Sequence, residues 1–348
     1  MKKAIGIVIF SLILCSGTWG QVPQAVTHWD FQAVQADGTS AFGGFNPPDK
    51  VILEGIILNS PEHLLPPDPA AAGFMGGQWQ IFLQGEGADH AGTAVWMGQY
   101  YGKLPWLTHP DDSYTDQQWR DEICRVNHDP NTAYLFHPGD RVRVTGKYLF
   151  YNGKNNINEQ HDNLPQSDFT ITLLEAALGL PQPEMATLDD LKDQNDNFIF
   201  DPTRFTGCEY YQARLIRINH VSFTDPAAWG SSTAMVITDG HGKTFPVKLG
   251  LGPGFTAESN NLPVIFDLIG ILDQEGSYPH TGGYRLWVPN YDGNSLALTD
   301  RGFQRGRLKG DINKDGKVDL LDFAQLAAEW LDWTPGLAPC RRPLGNMS

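Results

Sequence analysis

The sequence predicts a mainly β protein in which two small five-stranded barrels follow one another and a short loop–helix module ends the chain. Apolar residues occur in short runs with the two-residue period of strands, and turn residues separate these runs. The 348 residues include 37 glycines and 24 prolines, and stretches with helical periodicity are short and few. We divide the chain into a signal peptide (1–20), an N-terminal arm (21–49), a first barrel (50–176), a linker with a short helix (177–206), a second barrel (207–295), a second linker (296–309), a loop–helix module (310–333) and a C-terminal tail (334–348).

The amino terminus has the layout of a secretory signal peptide. Lys2 and Lys3 precede an apolar run from Ala4 to Cys15, and small residues lead to an expected cleavage site near Gly20. The apolar run is shorter than the ~20 residues that a membrane-spanning helix needs. We therefore expect a secreted, extracellular protein without a membrane span.

The chain is acidic and contains few cysteines. It has 40 aspartates and glutamates against 25 lysines and arginines, which gives a formal net charge of −15. This balance disfavours sequence-independent nucleic-acid binding, which depends on neutralising phosphates with basic side chains. Cys124, Cys208 and Cys340 remain after cleavage, so one disulfide with a free thiol, or three thiols, are both open, and the sequence does not choose the pair.

In the first barrel, three strand candidates precede a helix and two strand candidates follow it. Thr115 or Asp116 can cap the helix, whose buried face would carry Trp119, Ile123 and Val126, and Pro130 ends it. The strand candidates are residues 51–58, 79–83, 93–97, 141–151 and 168–174. Three strands, a helix and further strands are the order of an OB-fold barrel.

Three phrases of this region resemble bacterial extracytoplasmic OB-fold domains. Val51–Ile56, Ile81–Gln84 and Gly139–Gly146 are similar to the first, second and fourth strands of such domains. The resemblance implies an OB-like barrel of a kind found beside secreted nucleases or in proteins of unknown role. The alternative is another small antiparallel barrel.

The same order of elements returns in the second barrel. Its strand candidates are residues 209–218, 234–238, 243–249, 264–272 and 284–288, and the turn Asp239–Gly242 predicts a hairpin between the second and third. Residues 250–262 stand where the first barrel has its helix. We interpret this half as a second, smaller OB-like barrel and the pair as an internal duplication.

A twelve-residue loop near the carboxyl end has the ligand order of a calcium-binding EF-hand loop. Gly316 at position 6 permits the sharp turn, and oxygen ligands fall at the positions that calcium requires. The alternative is an acidic turn without metal. The predicted Ca²⁺ ligands are Asp311, Asn313, Asp315, Lys317 through its carbonyl, Asp319 through a water, and Asp322.

This loop and the helix after it resemble a type I dockerin repeat over Gly310 to about Leu331. Apolar residues recur at helical spacing after the loop, among them Leu320, Phe323 and Trp330. The resemblance implies a cohesin-like partner and a place in an extracellular polysaccharide-degrading system. A typical dockerin has two such repeats, and this chain has one.

We find no catalytic motif and expect a non-enzymatic protein. The chain contains no Gly-x-Ser-x-Gly elbow and no His-Glu-x-x-His motif, and we interpret the pairs His128-Asp129 and His161-Asp162 as polar loop residues. The polar segment 155–161 could hydrogen-bond a sugar or order a loop of the barrel. OB barrels bind oligosaccharides or single strands across their second and third strands, and aromatic side chains there either stack on the ligand or form a local core. The candidate ligand contacts are Trp96, Tyr100, Tyr101, Trp106 and Tyr151.

The function we expect is that of a secreted binding or scaffold protein with a calcium-binding module and with carbohydrate as its ligand. Two alternatives remain open at the level of sequence. One is an OB-fold accessory protein that touches nucleic acid, and the other is a purely structural cell-surface protein.

Overall fold

Two β-sheets form most of the structure, a computed structural model that describes residues 22–44, 50–61, 64, 78–98, 114–158, 169–229, 234–250, 264–289, 299–300, 320 and 323. The prediction of a mainly β protein is confirmed. None of the helices in these described ranges has both the length and the apolar character needed to span a bilayer.

The first sheet contains eight strands in the spatial order β6-β7-β4-β3-β2-β5-β8, with β1 parallel to β2. All of the strands predicted for the first barrel are present within one to three residues of their expected ends. The elements of this half are β1 (Gln24–Ala25), α1 (His28–Phe31), β2 (Val51–Ile57), β3 (Gln78–Gln84), β4 (Gly92–Gly98), α2 (Asp116–Asn127), β5 (Arg141–Gly146), β6 (Tyr148–Tyr151), β7 (Lys154–Asn158) and β8 (Phe169–Glu175).

The last predicted strand of this half, residues 168–174, is present as β8, and β7 is an additional strand in the segment that we interpreted only as polar. Tyr148 pairs with Ile157, and Gly146 pairs with Phe169, so the run from β5 into β6 has β7 alongside one part and β8 alongside the other. β7 also pairs in parallel with β4. β7 and β8 therefore pair with consecutive parts of the run from β5 into β6, and residues 159–168 separate β7 from β8 along the chain.

Helix α2 covers the first core as its sequence predicts. The Thr115 side chain accepts a hydrogen bond from the Gln118 N–H, and Gln118 Oε1 accepts one from the Thr115 N–H, which forms a capping box. Trp119, Ile123 and Val126 are buried in the core. The predicted helix and its buried face are confirmed.

The N-terminal arm packs against the first sheet and its core. The buried His28 ring bonds through Nδ1 to Thr93 Oγ1 (2.8 Å) and through Nε2 to the Glu54 carbonyl (3.1 Å), and Phe31 enters the core. Gly55 makes room for this arrangement, because a Cβ there would lie 2.6 Å from the Gln84 carbonyl and 3.0 Å from His28 Nε2. The arm is thus part of the barrel's packing.

The second sheet contains a closed ring of five strands. β10 pairs with β11, β11 with β12, β12 with β14, β14 with β13, and β13 with β10, and only the β12–β14 pair within the ring is parallel. Its elements are β9 (Glu184–Ala186), α3 (Leu188–Leu191), α4 (Gly207–Tyr210), β10 (Leu215–Phe223), β11 (Ala234–Thr238), β12 (Thr244–Leu249), β13 (Phe266–Gln274), β14 (Tyr284–Val288) and β15 (Thr299–Asp300).

The strand predicted from residue 209 is wrong in its first half. Residues 207–210 form α4, and Ala213 adopts a positive φ of 54°, so extended structure begins only at Leu215. The alternation of apolar and polar residues from Glu209 onward is a coincidence of this helix and turn. The buried Glu209 in particular mimics the polar face of a strand.

The segment predicted as a linker is packed onto the second barrel. β9 pairs in parallel with β10, and the predicted short helix is present as α3, whose Leu188 and Leu191 are buried in the second core. Thr187 and Asp190 form a capping box at its start. The residues expected between β12 and β13 lie largely outside the described ranges.

A third apolar core joins the two barrels. Gly92 shows how closely the backbones approach, because a Cβ at this position would lie 2.2 Å from the carbonyl oxygen of Ala213. The first half contributes Leu58, Leu64, Phe82 and Ala94, and the second contributes Ala213, Leu215, Ile269, Ile271 and Trp287. Since these side chains are buried against one another, the two barrels pack as one body.

Candidate functional site

The predicted calcium ligands, Asp311 to Asp322, lie outside the described residues. Close to them, Leu320 and Phe323 have helical conformation, and both side chains are exposed. Within the described ranges, no group of three or more histidine, cysteine, aspartate or glutamate side chains is arranged to hold a metal ion.

Two of the five predicted aromatic contacts are described, and they lie apart. Trp96 is half-buried on β4, where it pairs with Gln80 of β3 and with Asn158 of β7. Tyr151 ends β6 and pairs with Lys154, four residues from Asn158 along β7. At about 3.3 Å per strand residue, their positions differ by about 13 Å along the sheet. Tyr100, Tyr101 and Trp106 lie outside the described residues.

The outward side of β3, β4 and β7, which we call the outer face, divides into a covered end and an open end. Alternation along each strand places the odd-numbered residues in the first core and the even-numbered ones on the outer face. At the covered end, Phe82 and Ala94 pair across the strands and pack against the second barrel. The outer face consists of Gln80, Phe82, Ala94, Trp96, Asn156 and Asn158.

The open end of the outer face, so called because none of its residues belongs to the core between the barrels, combines side-chain amides with the half-buried indole of Trp96, which also packs against the first core. Gln80, Trp96 and Asn158 stand side by side on adjacent strands, which lie about 4.8 Å apart in a sheet. The amide oxygens of Asn156 and Asn158 are buried and have no hydrogen-bond partner. An aromatic ring beside amide groups can stack on an apolar ligand face and hydrogen-bond to its hydroxyls.

Asn155, on the opposite side of β7, has a structural role. Its side-chain nitrogen donates to the Phe31 carbonyl (2.5 Å) and to Ser40 Oγ (2.8 Å), and its backbone N–H donates to Gln32 Oε1 (3.1 Å). Asn155 therefore lies on a strand and fixes the N-terminal arm.

The His128-Asp129 pair also has structural roles. Asp129 accepts hydrogen bonds from the backbone of Thr132 (2.8 Å) and Leu173 (2.9 Å), while His128 Nδ1 lies 2.8 Å from the Cys124 carbonyl. Burial alone would raise the pKa of Asp129, but these hydrogen bonds outweigh it and lower that pKa. The interpretation as polar loop residues is confirmed. The His161-Asp162 pair lies outside the described residues.

A buried charged group, the Asp273 cluster, links the barrels, and its carboxylate is fully paired, although Arg285 Nε is buried without a hydrogen-bond partner. The Asp273 carboxylate accepts hydrogen bonds from Lys154 of β7, from Arg285 (3.0 Å) and from Trp287 Nε1 (3.0 Å). Burial alone would raise the pKa of Asp273, but the positive charges of Lys154 and Arg285 hold it below its ordinary value. The cluster comprises Lys154, Asp273, Arg285 and Trp287.

A second buried group, the Arg204 cluster, is incompletely paired. Arg204 stacks on the Trp29 ring at 4.1 Å and donates through Nη1 to the Trp29 carbonyl. Tyr284 donates to Glu209 Oε1 at 2.5 Å. Arg204 Nε and Nη2, Glu209 Oε2 and both amide atoms of Gln212 are buried without hydrogen-bond partners. The cluster comprises Arg204, Glu209 and Gln212.

Sequence reasoning missed both clusters for an understandable reason. Lys154 and Asp273, like Trp29 and Arg204, are far apart along the chain and meet only where the barrels join. No short motif encodes such a meeting.

Comparison with known proteins identifies no relative, since no protein-family model matches this chain and no curated protein is significantly similar to it.

The cysteines are divided by the structure. Cys124 is disulfide-bonded to a partner outside the described residues, whereas Cys208 is a buried free thiol. Burial raises the pKa of the Cys208 thiol well above its ordinary value, which makes it a poor nucleophile.

Proposed function

We propose that this chain is a secreted, non-enzymatic binding or scaffold protein. It binds Ca²⁺ near its carboxyl end and binds carbohydrate as its ligand. The observation that carries the proposal is the loop Asp311–Asp322, which supplies oxygen ligands at the required positions and glycine at the turn. By resemblance to a dockerin repeat, its helix would dock on a cohesin-like partner. The disulfide at Cys124 supports an oxidising compartment.

Both barrels are OB-like in this proposal. The second sheet closes in the order first, second, third, fifth and fourth strand. The first sheet follows the same order when β7 and β8 are taken as one strand. Greek-key barrels of this size recur among proteins that bind oligosaccharides and single strands, which makes the barrel a suitable binding scaffold.

Carbohydrate is favoured over nucleic acid as the ligand. The open end of the outer face offers an indole and amides, which suit a neutral sugar. β3 and β4 contain no lysine or arginine, and β11 and β12 contain only Lys248. Without a basic strip on these strands, phosphates have no counter-charge to bind.

Calorimetry tests the calcium site. Asp311→Ala combined with Asp315→Ala should abolish calcium binding, because two of the four loop carboxylates are lost. The matched control removes two exposed carboxylates elsewhere, Asp121→Ala with Asp189→Ala, and should bind calcium as the parent does. Unchanged binding by the loop variant would disprove the site.

A glycan array and an oligonucleotide array, probed with the same purified protein, test the ligand class. We expect glycan signals that fall at least tenfold in Trp96→Ala, since stacking on an aromatic ring contributes roughly 1–3 kcal/mol. Tyr151→Ala, at the distant position on the same sheet, is the control. Binding to oligonucleotides alone would replace carbohydrate by nucleic acid.

A further inference from the structure

Arg204 is a buried cation with unused donors. The side chain is 2% exposed, and only Nη1 has an acceptor, the Trp29 carbonyl. Nε and Nη2 have none. These two atoms form one edge of the guanidinium, which is the edge that binds two oxygens of a carboxylate or phosphate in parallel. Because arginine stays protonated in proteins, this edge keeps both its charge and its donors.

The neighbouring carboxylates do not satisfy this edge. Asp89 already accepts the backbone N–H groups of His28 (2.8 Å) and Trp29 (2.7 Å). Glu209 acts electrostatically on Arg204, but its Oε1 accepts from Tyr284 and its Oε2 has no partner. Donors and an acceptor of opposite charge are thus buried close together without meeting.

Gln212, three residues after Glu209, adds two further unpaired atoms. Its backbone N–H points to the Glu209 carbonyl at 3.4 Å, and its side chain is 1% exposed with neither amide atom bonded. Buried polar groups are paired in the large majority of cases, and an enclosed charge without a partner costs several kcal/mol. Five such atoms in one cluster indicate that an occupant completes it.

We infer that the Arg204 cluster binds a small ligand bearing an oxyanion, a carboxylate or a phosphate, with two of its oxygens on Nε and Nη2 of Arg204. The Gln212 amide supplies a further donor. The site joins Trp29 of the N-terminal arm to Glu209 of the second barrel, so the ligand holds the two halves together. It includes none of the outer-face residues and none of the predicted calcium ligands.

Glu209 makes this binding pH-dependent. Burial raises its pKa to about 7, against a hydrogen bond from Tyr284 and the charge of Arg204 that both lower it. The charged groups facing Arg204 are Glu209, Asp89 and Asp30, and Cys208 adjoins Glu209. Below pH 7 a neutral Glu209 does not repel an anion, whereas above it the ionised carboxylate repels the anion and competes for Arg204.

The test is anion binding by the full chain at constant ionic strength. Acetate and inorganic phosphate form two arms, sodium chloride is the reference, and thermal unfolding and calorimetry are recorded from about pH 6 to pH 9. We expect one arm or both to raise the unfolding temperature above that in chloride. For acetate, which stays ionised in this range, the affinity should fall about tenfold per pH unit above pH 7.

Variants assign the effect to the cluster. Arg204→Met should lose the anion response, while Arg217→Met, which removes an arginine paired with Asp267, should keep it. Glu209→Gln should still bind the anion, but its affinity should no longer change with pH. This loss of pH dependence tests the proposal even if Arg204→Met does not fold. An anion response no larger than that of chloride overturns the proposal. So does a crystal structure, grown with the anion, that shows only water or a direct Arg204–Glu209 ion pair.

Discussion

The Asp273 cluster and the Arg204 cluster both join the two halves of the structure, and their buried carboxylates differ in how completely they are paired. Asp273 is surrounded by Lys154, Arg285 and the Trp287 indole, whereas Glu209 receives one hydrogen bond and leaves an oxygen unbonded. Their pKa values accordingly move in opposite directions, downward for Asp273 and upward for Glu209. Both carboxylates are buried, so burial alone does not decide their protonation states. The number of hydrogen-bond and charge partners makes the difference.

The pairing also separates a structural role from a binding role. The Asp273 carboxylate has all of its charge balanced by Lys154 and Arg285, and this pairing serves to hold the barrels together. A buried cluster with open donors and acceptors is the kind of place where perturbed pKa values accompany function.

The largest effect is expected from removing Asp273. Asp273→Ala leaves Lys154 buried without its carboxylate, while Arg285 keeps its ion pair with Glu275, and breaking a buried pair in this way costs about 3–5 kcal/mol of unfolding free energy. Chemical denaturation measures it. Glu54→Gln is the control, because Glu54 pairs with Arg143 at the surface, where an ion pair contributes about 0–1 kcal/mol. Equal losses in both variants would contradict the conclusion that Asp273 stabilises the fold as part of a buried ion pair.

Replacing Glu209 is expected to have a smaller effect of opposite sign, an increase in the unfolding free energy at alkaline pH. Its pKa rises from 4.5 in the unfolded chain to about 7 in the folded one. Stability from this group is therefore complete below about pH 4.5 and is lost as the pH rises through 7, by about 3 kcal/mol on an order-of-magnitude basis. Glu209→Gln should remove this loss, so its unfolding free energy should exceed that of the parent at pH 8 but not at pH 4.

The pH profile of Asp273 should run the other way. Its lowered pKa means that stability is present above the unfolded pKa and is lost as the pH falls. The unfolding free energy should be measured by chemical denaturation across the acid range in the Glu209→Gln variant. In that variant the titration of Glu209 does not contribute, so the acid-side loss from Asp273 is seen alone. A profile without acid-side loss would contradict the pairing described for Asp273.

The smallest effect is expected from Tyr284→Phe. It removes the only hydrogen bond to the Glu209 carboxylate, at a cost of about 1–2 kcal/mol. Because that bond lowers the pKa of Glu209, its loss should move the pH-dependent step above pH 7. Spectroscopic titration of the carboxyl group against the parent checks the direction, and a downward move would show that Tyr284 does not act on Glu209.

The elements of the barrels could be predicted from sequence far better than their packing. Helix α2 could be predicted because Thr115 and Gln118 form its cap and three apolar residues mark its buried face. Local rules of this kind need only neighbouring residues. The predicted start of β10 was wrong because the turn at Ala213 depends on contacts with residues distant in sequence. One of these is the hydrogen bond from the Ala213 N–H to the Leu272 carbonyl.

The junction nevertheless left one trace in the sequence. Ile81, Phe82 and Leu83 are consecutive apolar residues, and an unbroken apolar run indicates a strand covered on both faces. Phe82 is indeed buried against the second barrel, while its two neighbours lie in the first core. The pairing within the charged clusters left no such trace, since it requires the two halves to be in contact.

The division of the returning strand into β7 and β8 makes the first barrel permissive to changes in chain length. Each half is held in register by its own ladder of hydrogen bonds, β7 on β6 and β8 on β5. The entropy of closing a loop grows only slowly with its length, so additional residues between Asn158 and Phe169 weaken neither ladder appreciably. This position is where an epitope, a fluorophore attachment point or a whole domain can be grafted without rebuilding the barrel.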